Sequence, residues 1–360
     1  MKKIKYIVIA SLLLGFMSGC SKKEETQYLQ KSFMGPFDTQ FTFNAYAKSS
    51  QFDEYYTILQ TEITRLDHLY DKYNTHEGVN NIKTINDNAG IQPVVVDDDI
   101  INLLKFSIES NQTISFKTNI AMGAVLEIWH NYREDGNREV PSVEELSEAN
   151  KHTDINKIII DEENKTVYLE DTTMSLDVGA VAKGYAAELV KQKLIDGGCE
   201  AFILSAGGNI VSHGKRVFDS AGNEFLNACK TNFCVSIVSP GDEAYEGKED
   251  IAIVVVSDDA SVVTSGDYQR YYYAKDGIKY HHLIDPTTLF PGNYMRSLTI
   301  ITEDSGLADF LSTVIFLQDY ETGKGVIESM DGVEAVWLLN DGTIEVSSGL
   351  VQGENIYIYE

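Results

Sequence analysis

The chain has 360 residues, of which 43% are hydrophobic and 10% aromatic, which suits a globular protein with a large core and excludes a disordered chain. Its formal charge of −26 excludes nucleic acid and anionic lipid as main partners, because such a field repels polyanions. A phosphorylated ligand meets the same repulsion, so a nucleotide site here requires a local cation or an array of backbone donors.

Lys2, Lys3 and Lys5 precede an apolar run from Tyr6 to Phe16, which is shorter than the roughly 20 residues a spanning helix needs. Residues 1–19 therefore read as an export signal. Met17-Ser18-Gly19-Cys20 has the form of a lipobox, which predicts cleavage before a lipidated Cys20; a plain secretory signal is the alternative. Residues 20–32 follow as a polar tether, which places the protein outside the cytoplasm, anchored by lipid to a bacterial envelope membrane. From Phe33 onward no linker-like run and no repeat interrupts the recurring apolar segments, so residues 33–350 are expected to form one compact, two-lobed domain, with 351–360 as a C-terminal tail.

Within that domain Tyr55, Ile58, Leu59, Ile63, Leu66 and Leu69 recur at steps of three and four and predict an amphipathic helix over Glu54 to Leu69. A second helix is expected over Asp98 to Glu109. Lys157 to Ile160 and Thr166 to Leu169 flank a turn and predict a hairpin. Leu176-Asp177-Val178-Gly179-Ala180-Val181-Ala182-Lys183 opens a third helix, from about Ala180 to Ile195. Its first turn offers free N–H groups to an anion, with Lys183 one turn in, although small residues there also serve close packing. Ala201 to Leu204, Cys234 to Val238, Ile251 to Val256 and Ser297 to Ile301 read as strands. After the first of them, Ser205-Ala206-Gly207-Gly208-Asn209 allows a tight turn or close approach of a ligand. Ser212 to Asn232 reads as a surface excursion. Ala335 to Leu339 and Thr343 to Ser347, split by Asn340-Asp341-Gly342, predict another hairpin. Helices mixed with hairpins, without strict strand-helix alternation, define an α+β class with mixed sheets and packed helices.

Two further segments carry candidate chemistry. Thr264-Ser265-Gly266-Asp267-Tyr268-Gln269-Arg270-Tyr271, followed by Tyr280-His281-His282-Leu283-Ile284-Asp285, is either a polar lining for a cleft or a hairpin with aromatic faces. In Gly306 to Thr313, Asp309, Ser312 and Thr313 fall on one face of a helix, as a hard-cation site requires; a solvent-facing or capping Asp309 is the alternative. Three cysteines remain in the folded body, so complete pairing is impossible. Cys229 and Cys234 could close a short loop, and free buried thiols are the alternative.

Taken in order, these segments resemble the ApbE family of FAD:protein FMN transferases, and the resemblance covers Phe33 to Gly349. It also draws on Met34-Gly35, Leu66-Asp67 through Tyr73, Asn86, and the stretch Ile120 to Trp129. The resemblance implies an ApbE-like fold and flavin-nucleotide contacts at Met34, Tyr73, Asp177, Lys183 and Ile284, with Thr118 and Asn119 contributing from the segment before Trp129. It implies Mg²⁺ held by the Ala180 carbonyl and by Asp309, Ser312 and Thr313. Three departures stand out: Phe116-Lys117-Thr118-Asn119 where many members have Gly-Ala-Phe-Asp, Ser312 where some carry a second acid, and no glycine before Pro291.

The implied reaction is magnesium-dependent transfer of FMN from FAD to a Thr or Ser hydroxyl, with release of AMP. The expected partner is an exported flavoprotein of a membrane redox system, and His282 is the candidate to take the hydroxyl proton. An FAD pyrophosphatase and a non-enzymatic flavin-binding lipoprotein are the alternatives at this stage.

Overall fold

The structure, a computed structural model, describes residues 25–216, 227–241, 245, 249–256 and 258–359. The export signal and Cys20 lie outside the described residues, as does much of the excursion expected after Ser212. Among the described residues no helix is long and apolar enough to cross a membrane.

In chain order the first half comprises β1 (Gln27–Met34), β2 (Gln40–Ala47), α1 (Ser49–Tyr70), α2 (Ile82–Asp87), β3 (Val94–Val95), α3 (Asp98–Thr113), α4 (Gly123–Glu134), α5 (Val143–Ala149), β4 (Ile158–Asp161) and β5 (Thr166–Leu169). Then come α6 (Ala182–Asp196), β6 (Phe202–Ala206), β7 (Asn209–His213), β8 (Phe233–Val238), β9 (Asp250–Val256), β10 (Ala260–Gly266), β11 (Tyr271–Tyr273) and β12 (Lys279–His281). The chain closes with β13 (Met295–Thr302), α7 (Ser305–Phe316), α8 (Tyr320–Glu328), β14 (Glu334–Leu339), β15 (Ile344–Val346) and β16 (Ile356–Ile358).

Eight strands in the order β1-β2-β6-β7-β10-β13-β14-β15 form one antiparallel sheet. Its inner strands carry apolar residues on both faces because both are covered. In β14, Ala335 and Trp337 join the core under the helices, while Val336 and Leu338 join the core under the small sheet β16-β9-β8. The period of two along one strand thus makes a three-layer body of helices, large sheet and small sheet. Residues 351–360, expected to be a tail, contribute a strand instead. Ile356–Ile358 pairs antiparallel with β9, and Ile356 is fully buried, because β9 needs a partner on the edge opposite β8.

Helix α1 buries Phe52, Tyr55, Leu59, Ile63, Leu66 and Leu69 on the face that the spacing indicates. Helices α6 and α7 cross closely because α6 carries Gly184 at the contact. A Cβ there would stand 2.2 Å from the Ser305 carbonyl oxygen and 2.4 Å from Asp309 Cβ. Helix α7 is capped by Asp304, which accepts from the Leu307 N–H, and all of its residues except Leu307 are buried.

A satellite core forms the second lobe. Met122, Val125 and Trp129 of the α4 region and Leu146 of α5 pack with Ile284 and Leu289, and Tyr272 and Tyr280 of the β11-β12 hairpin lie against them. Cys229 and Cys234 are disulfide-bonded, and Cys199 is a buried free thiol whose pKa burial pushes up to about 12.

Candidate active site

A cleft of about 640 Å³ opens between the main core and the satellite lobe, within the usual range for a small-molecule site. Ten of the residues singled out in the sequence line it: Tyr73, Thr118, Asn119, Asp177, Ala180, Lys183, His282, Ile284, Asp309 and Thr313. They come from the loop after α1, the loop before α4, the turn into α6, the wall after β12, and α7. Two do not line it. Met34 is 70% exposed at the end of the edge strand β1, and its neighbour Gly35 is what reaches the cleft. Ser312 is fully buried, with Oγ donating to the Asp309 carbonyl 2.8 Å away and lying 2.8 Å from Ser265 Oγ. Its position three residues after Asp309 turns it into the packing, whereas the four-residue step to Thr313 keeps the cleft face.

The oxygen donors suit a hard cation. Asp309 Oδ2 accepts from the Gly184 N–H at 2.7 Å. In a longer helix that N–H would go to the Ala180 carbonyl; α6 begins at Ala182, so the Ala180 carbonyl is left without its helical partner. Thr313 adds a hydroxyl one turn beyond Asp309. Burial pushes the Asp309 carboxyl up, against the pull of Lys183 and the Gly184 amide, so a nearby positive charge favours its ionised form. Among the described residues no group of three His, Cys, Asp or Glu gathers as a metal cage. One carboxylate, one carbonyl and one hydroxyl, completed by water, is a donor set that fits Mg²⁺, which keeps most of its waters.

Five basic side chains line the same cleft in this acidic chain: Lys72, Lys117, Arg133, Lys183 and Arg270. Three of them are engaged. Lys72 Nζ donates to Asp177 Oδ2 at 2.6 Å and sits 4.9 Å from the centre of the Tyr73 ring. Lys117 binds Asp285, and Arg133 binds Glu134 and His130. Burial pushes the Asp177 carboxyl up, but Lys72 and the Gly179 N–H outweigh it and hold the group below its ordinary range. Lys183 and Arg270 have no ion-pair partner among the described residues.

The adjacent histidines have different jobs. His281 is buried; Nε2 donates to the Gly292 carbonyl at 2.6 Å and Nδ1 accepts from the Leu283 N–H. His282 faces the cleft, and its Nδ1 is buried without a hydrogen-bond partner. Burial, then His281, Arg270, Lys183 and Arg133, push the His282 pKa down to about 3. The ring is therefore neutral at physiological pH, as a proton acceptor must be.

Thr118 and Asn119 reach the cleft with their polar groups already committed. Thr118 Oγ1 donates to the Phe310 carbonyl at 3.3 Å, and the Asn119 amide binds Thr153 and Ala121. Lys72 and Lys117 were not selected from the sequence, since no local motif marks a side chain whose partner lies 105 or 168 residues away; His130 and Arg133, paired with each other within α4, went unselected with that helix. Arg270 stood within a noted segment but was given no role. Asn209, at the start of β7, lines the cleft just after the tight turn at Gly207 and Gly208, both at positive φ. A Cβ on Gly207 would stand 1.8 Å from Thr39 Oγ1, so the turn serves chain geometry and close approach at once.

A two-lobed α+β body in which two unpaired basic side chains share one cleft with the oxygens of Ala180, Asp309 and Thr313 has the charge pattern of a protein that binds a phosphorylated ligand. The chain belongs to the ApbE family, whose sequence model matches residues 37–337. It is 32% identical over 276 residues to the FAD:protein FMN transferase of Treponema pallidum, covering 75% of this chain and 74% of that one. The FAD:protein FMN transferase of Vibrio cholerae is 28% identical over 326 residues, 90% of each chain. Among solved structures, the ApbE protein of Thermotoga maritima superposes with a TM-score of 0.76 at 26% identity, covering 90% of this chain and 98% of that one. The flavin transferase ApbE from Vibrio cholerae shares the fold, with a TM-score of 0.73 at 21% identity, covering 89% of this chain and 98% of that one.

Proposed function

We propose that this protein transfers FMN from FAD to a Thr or Ser hydroxyl of an exported acceptor flavoprotein of a membrane redox system, with Mg²⁺ and with release of AMP. The observation that carries the reading is the pairing, in one cleft, of Lys183 and Arg270 with the oxygens of Ala180, Asp309 and Thr313. A diphosphate accompanied by a divalent cation satisfies both sets. The relatives named FAD:protein FMN transferase support this choice of diphosphate.

In the reaction the acceptor oxygen attacks the phosphorus on the FMN side, a P–O bond of the diphosphate bridge breaks, and AMP leaves with the bridging oxygen. When bound, Mg²⁺ supplies neutralisation of the diphosphate and polarises the phosphorus under attack. Lys183 and Arg270 hold the phosphate oxygens by charge-assisted hydrogen bonds. His282 takes the hydroxyl proton. Burial is the main cause of its low pKa; among the smaller causes Arg270, Lys183 and Arg133 line the cleft, and a bound diphosphate neutralises their share of the depression.

We place the protein at the outer face of a bacterial membrane, held by lipid on Cys20. The disulfide between Cys229 and Cys234 supports an oxidising compartment.

Incubating the purified chain with FAD, Mg²⁺ and a candidate acceptor tests the reaction. Covalently flavinylated acceptor and an equal amount of AMP are expected. Free FMN regardless of acceptor would make the protein a pyrophosphatase, and bound FAD without turnover would make it a carrier. Asp309→Ala should slow transfer by about 10²-fold or more, the scale for losing one preorganised charge-stabilising group. Undiminished transfer by that variant would remove the metal assignment.

A further inference from the structure

Lys117 lines the cleft, yet its ammonium has no proton to offer a ligand. Its three N–H donors go to Asp285 Oδ1 at 2.7 Å, Asp285 Oδ2 at 2.8 Å and Thr287 Oγ1 at 3.1 Å. The Asp285 side chain is 2% exposed, and Lys117 is its one ion-pair partner among the described residues. Such a carboxylate depends on its cation, since a buried charge without a partner is strongly unfavourable.

Around Asp285 the chain turns back on itself. The Asp285 N–H donates to the Phe290 carbonyl, and the Leu289 N–H donates to the Asp285 carbonyl at 2.7 Å. Leu289 closes this turn at φ 65, in the left-handed region a leucine rarely adopts, and its carbonyl accepts from Trp129 Nε1 at 2.8 Å. The wall so built carries His282 three residues before Asp285. The buried Nδ1 of His282 has no hydrogen-bond partner, so this wall, rather than a bond at Nδ1, sets where the ring points.

We propose that Lys117 is a positioning residue: through Asp285 it braces the wall from 282 to 290 against the loop before α4 and so holds His282 aimed into the cleft. The kinetic half of this claim rests on the flavin-transfer reading; the structural half does not.

Lys117→Met, Lys117→Arg and the double variant Lys117→Met/Asp285→Asn, made in the full chain, test the brace by FMN-transfer kinetics, FAD binding without acceptor, and tryptophan emission of the ligand-free protein. Trp129 reports the wall through its bond to Leu289, while Trp337, in β14, contributes a constant background. In Lys117→Met, kcat is expected to fall about tenfold or more with the Kd for FAD within about twofold, the pattern of misplaced chemistry with binding intact. The pH–rate limb belonging to His282 and the tryptophan emission should both shift. Lys117→Arg, which still presents a fork of donors to the carboxylate, should stay near the parent. If Lys117→Met does not fold, the double variant takes its place, because it leaves no buried charge unpaired. Slowed transfer and shifted emission are expected there too, and parental values would overturn the proposal. Weakened FAD binding with kcat unchanged would overturn it as well, since Lys117 would then be touching the ligand. The emission measurement needs no FAD. A chain that transferred no FMN at all would sink the transferase reading and leave that measurement to decide the brace.

Discussion

His281 and His282 are neighbours in the chain whose pKa values burial lowers to about 4 and about 3. Protonating His281 requires its Nδ1 to give up the Leu283 N–H, because Nε2 must keep its proton for the Gly292 carbonyl. The unfolded chain takes up these protons near pH 6.5, well above the folded chain. Stability contributed by the two rings is therefore complete above about pH 6.5 and is lost as the pH falls toward 4 and then 3. We predict that denaturation midpoints measured from pH 7.5 down to 5 decline, and that His281→Gln, which can still donate to Gly292, flattens the decline. An unchanged slope would mean that His281 titrates normally in the fold. Protonation of acidic residues relieves the repulsion of the −26 chain and acts in the opposite direction, so the comparison of variant with parent is the informative quantity. Nothing in the pair His281-His282 says which ring faces the cleft; β12 ends at His281, and the change of direction there sends one inward and the other to the cleft.

At the scale of elements, the site depends on the crossing of α6 and α7. Gly184 lets the helices approach until its N–H reaches Asp309, and this single contact both fixes the carboxylate and frees the Ala180 carbonyl. A methyl group at this position meets a backbone carbonyl and the Cβ of Asp309, neither of which is the end of a flexible side chain. Gly184→Ala should therefore cost about 1–3 kcal/mol as an overpacked core site, and more if the helices separate. The expected readout is a lower melting temperature together with reduced FMN transfer; a variant with parental stability and activity would show that the crossing is looser than described. Much at this scale was legible from local pattern. The helix over α1, the start of α3, and the hairpins β4-β5 and β14-β15 all follow from apolar periodicity and turn residues. Strand β1 was not legible, because only Leu29 and Phe33 are even half-buried in it and its edge position leaves no alternation to read. Helix α4 escaped because its two buried apolar side chains, Val125 and Trp129, serve the small satellite core instead of a long apolar stripe.

At the scale of the whole molecule, an acidic chain offsets the carboxylates of one cleft, Asp38, Asp67, Asp71, Asp177 and Asp309, by turning five basic side chains into it, and it spends three of them on protein carboxylates or side-chain contacts. The two left over are where a polyanion would settle. If Cys20 is the anchor, Cys20→Ala should move the protein from the membrane to the soluble extracytoplasmic fraction, with FMN transfer by the released protein within about twofold of the parent. Retention at the membrane after that change would point to another attachment.

By itself the sequence determined what depends on residues a few places apart. It showed the α+β mixture of helices and hairpins, the glycine-opened turn into α6, and the one-turn spacing of Asp309 and Thr313, because helix and strand periods place such neighbours without help from the rest of the chain. Only the tertiary structure decided the pairs that lie far apart: Lys72 with Asp177 across 105 residues and Lys117 with Asp285 across 168. It also turned Ser312 into the packing and left Met34 outside the cleft. Those outcomes depend on which layer buries each side chain and which partner a remote segment brings, and no spacing along the chain encodes them.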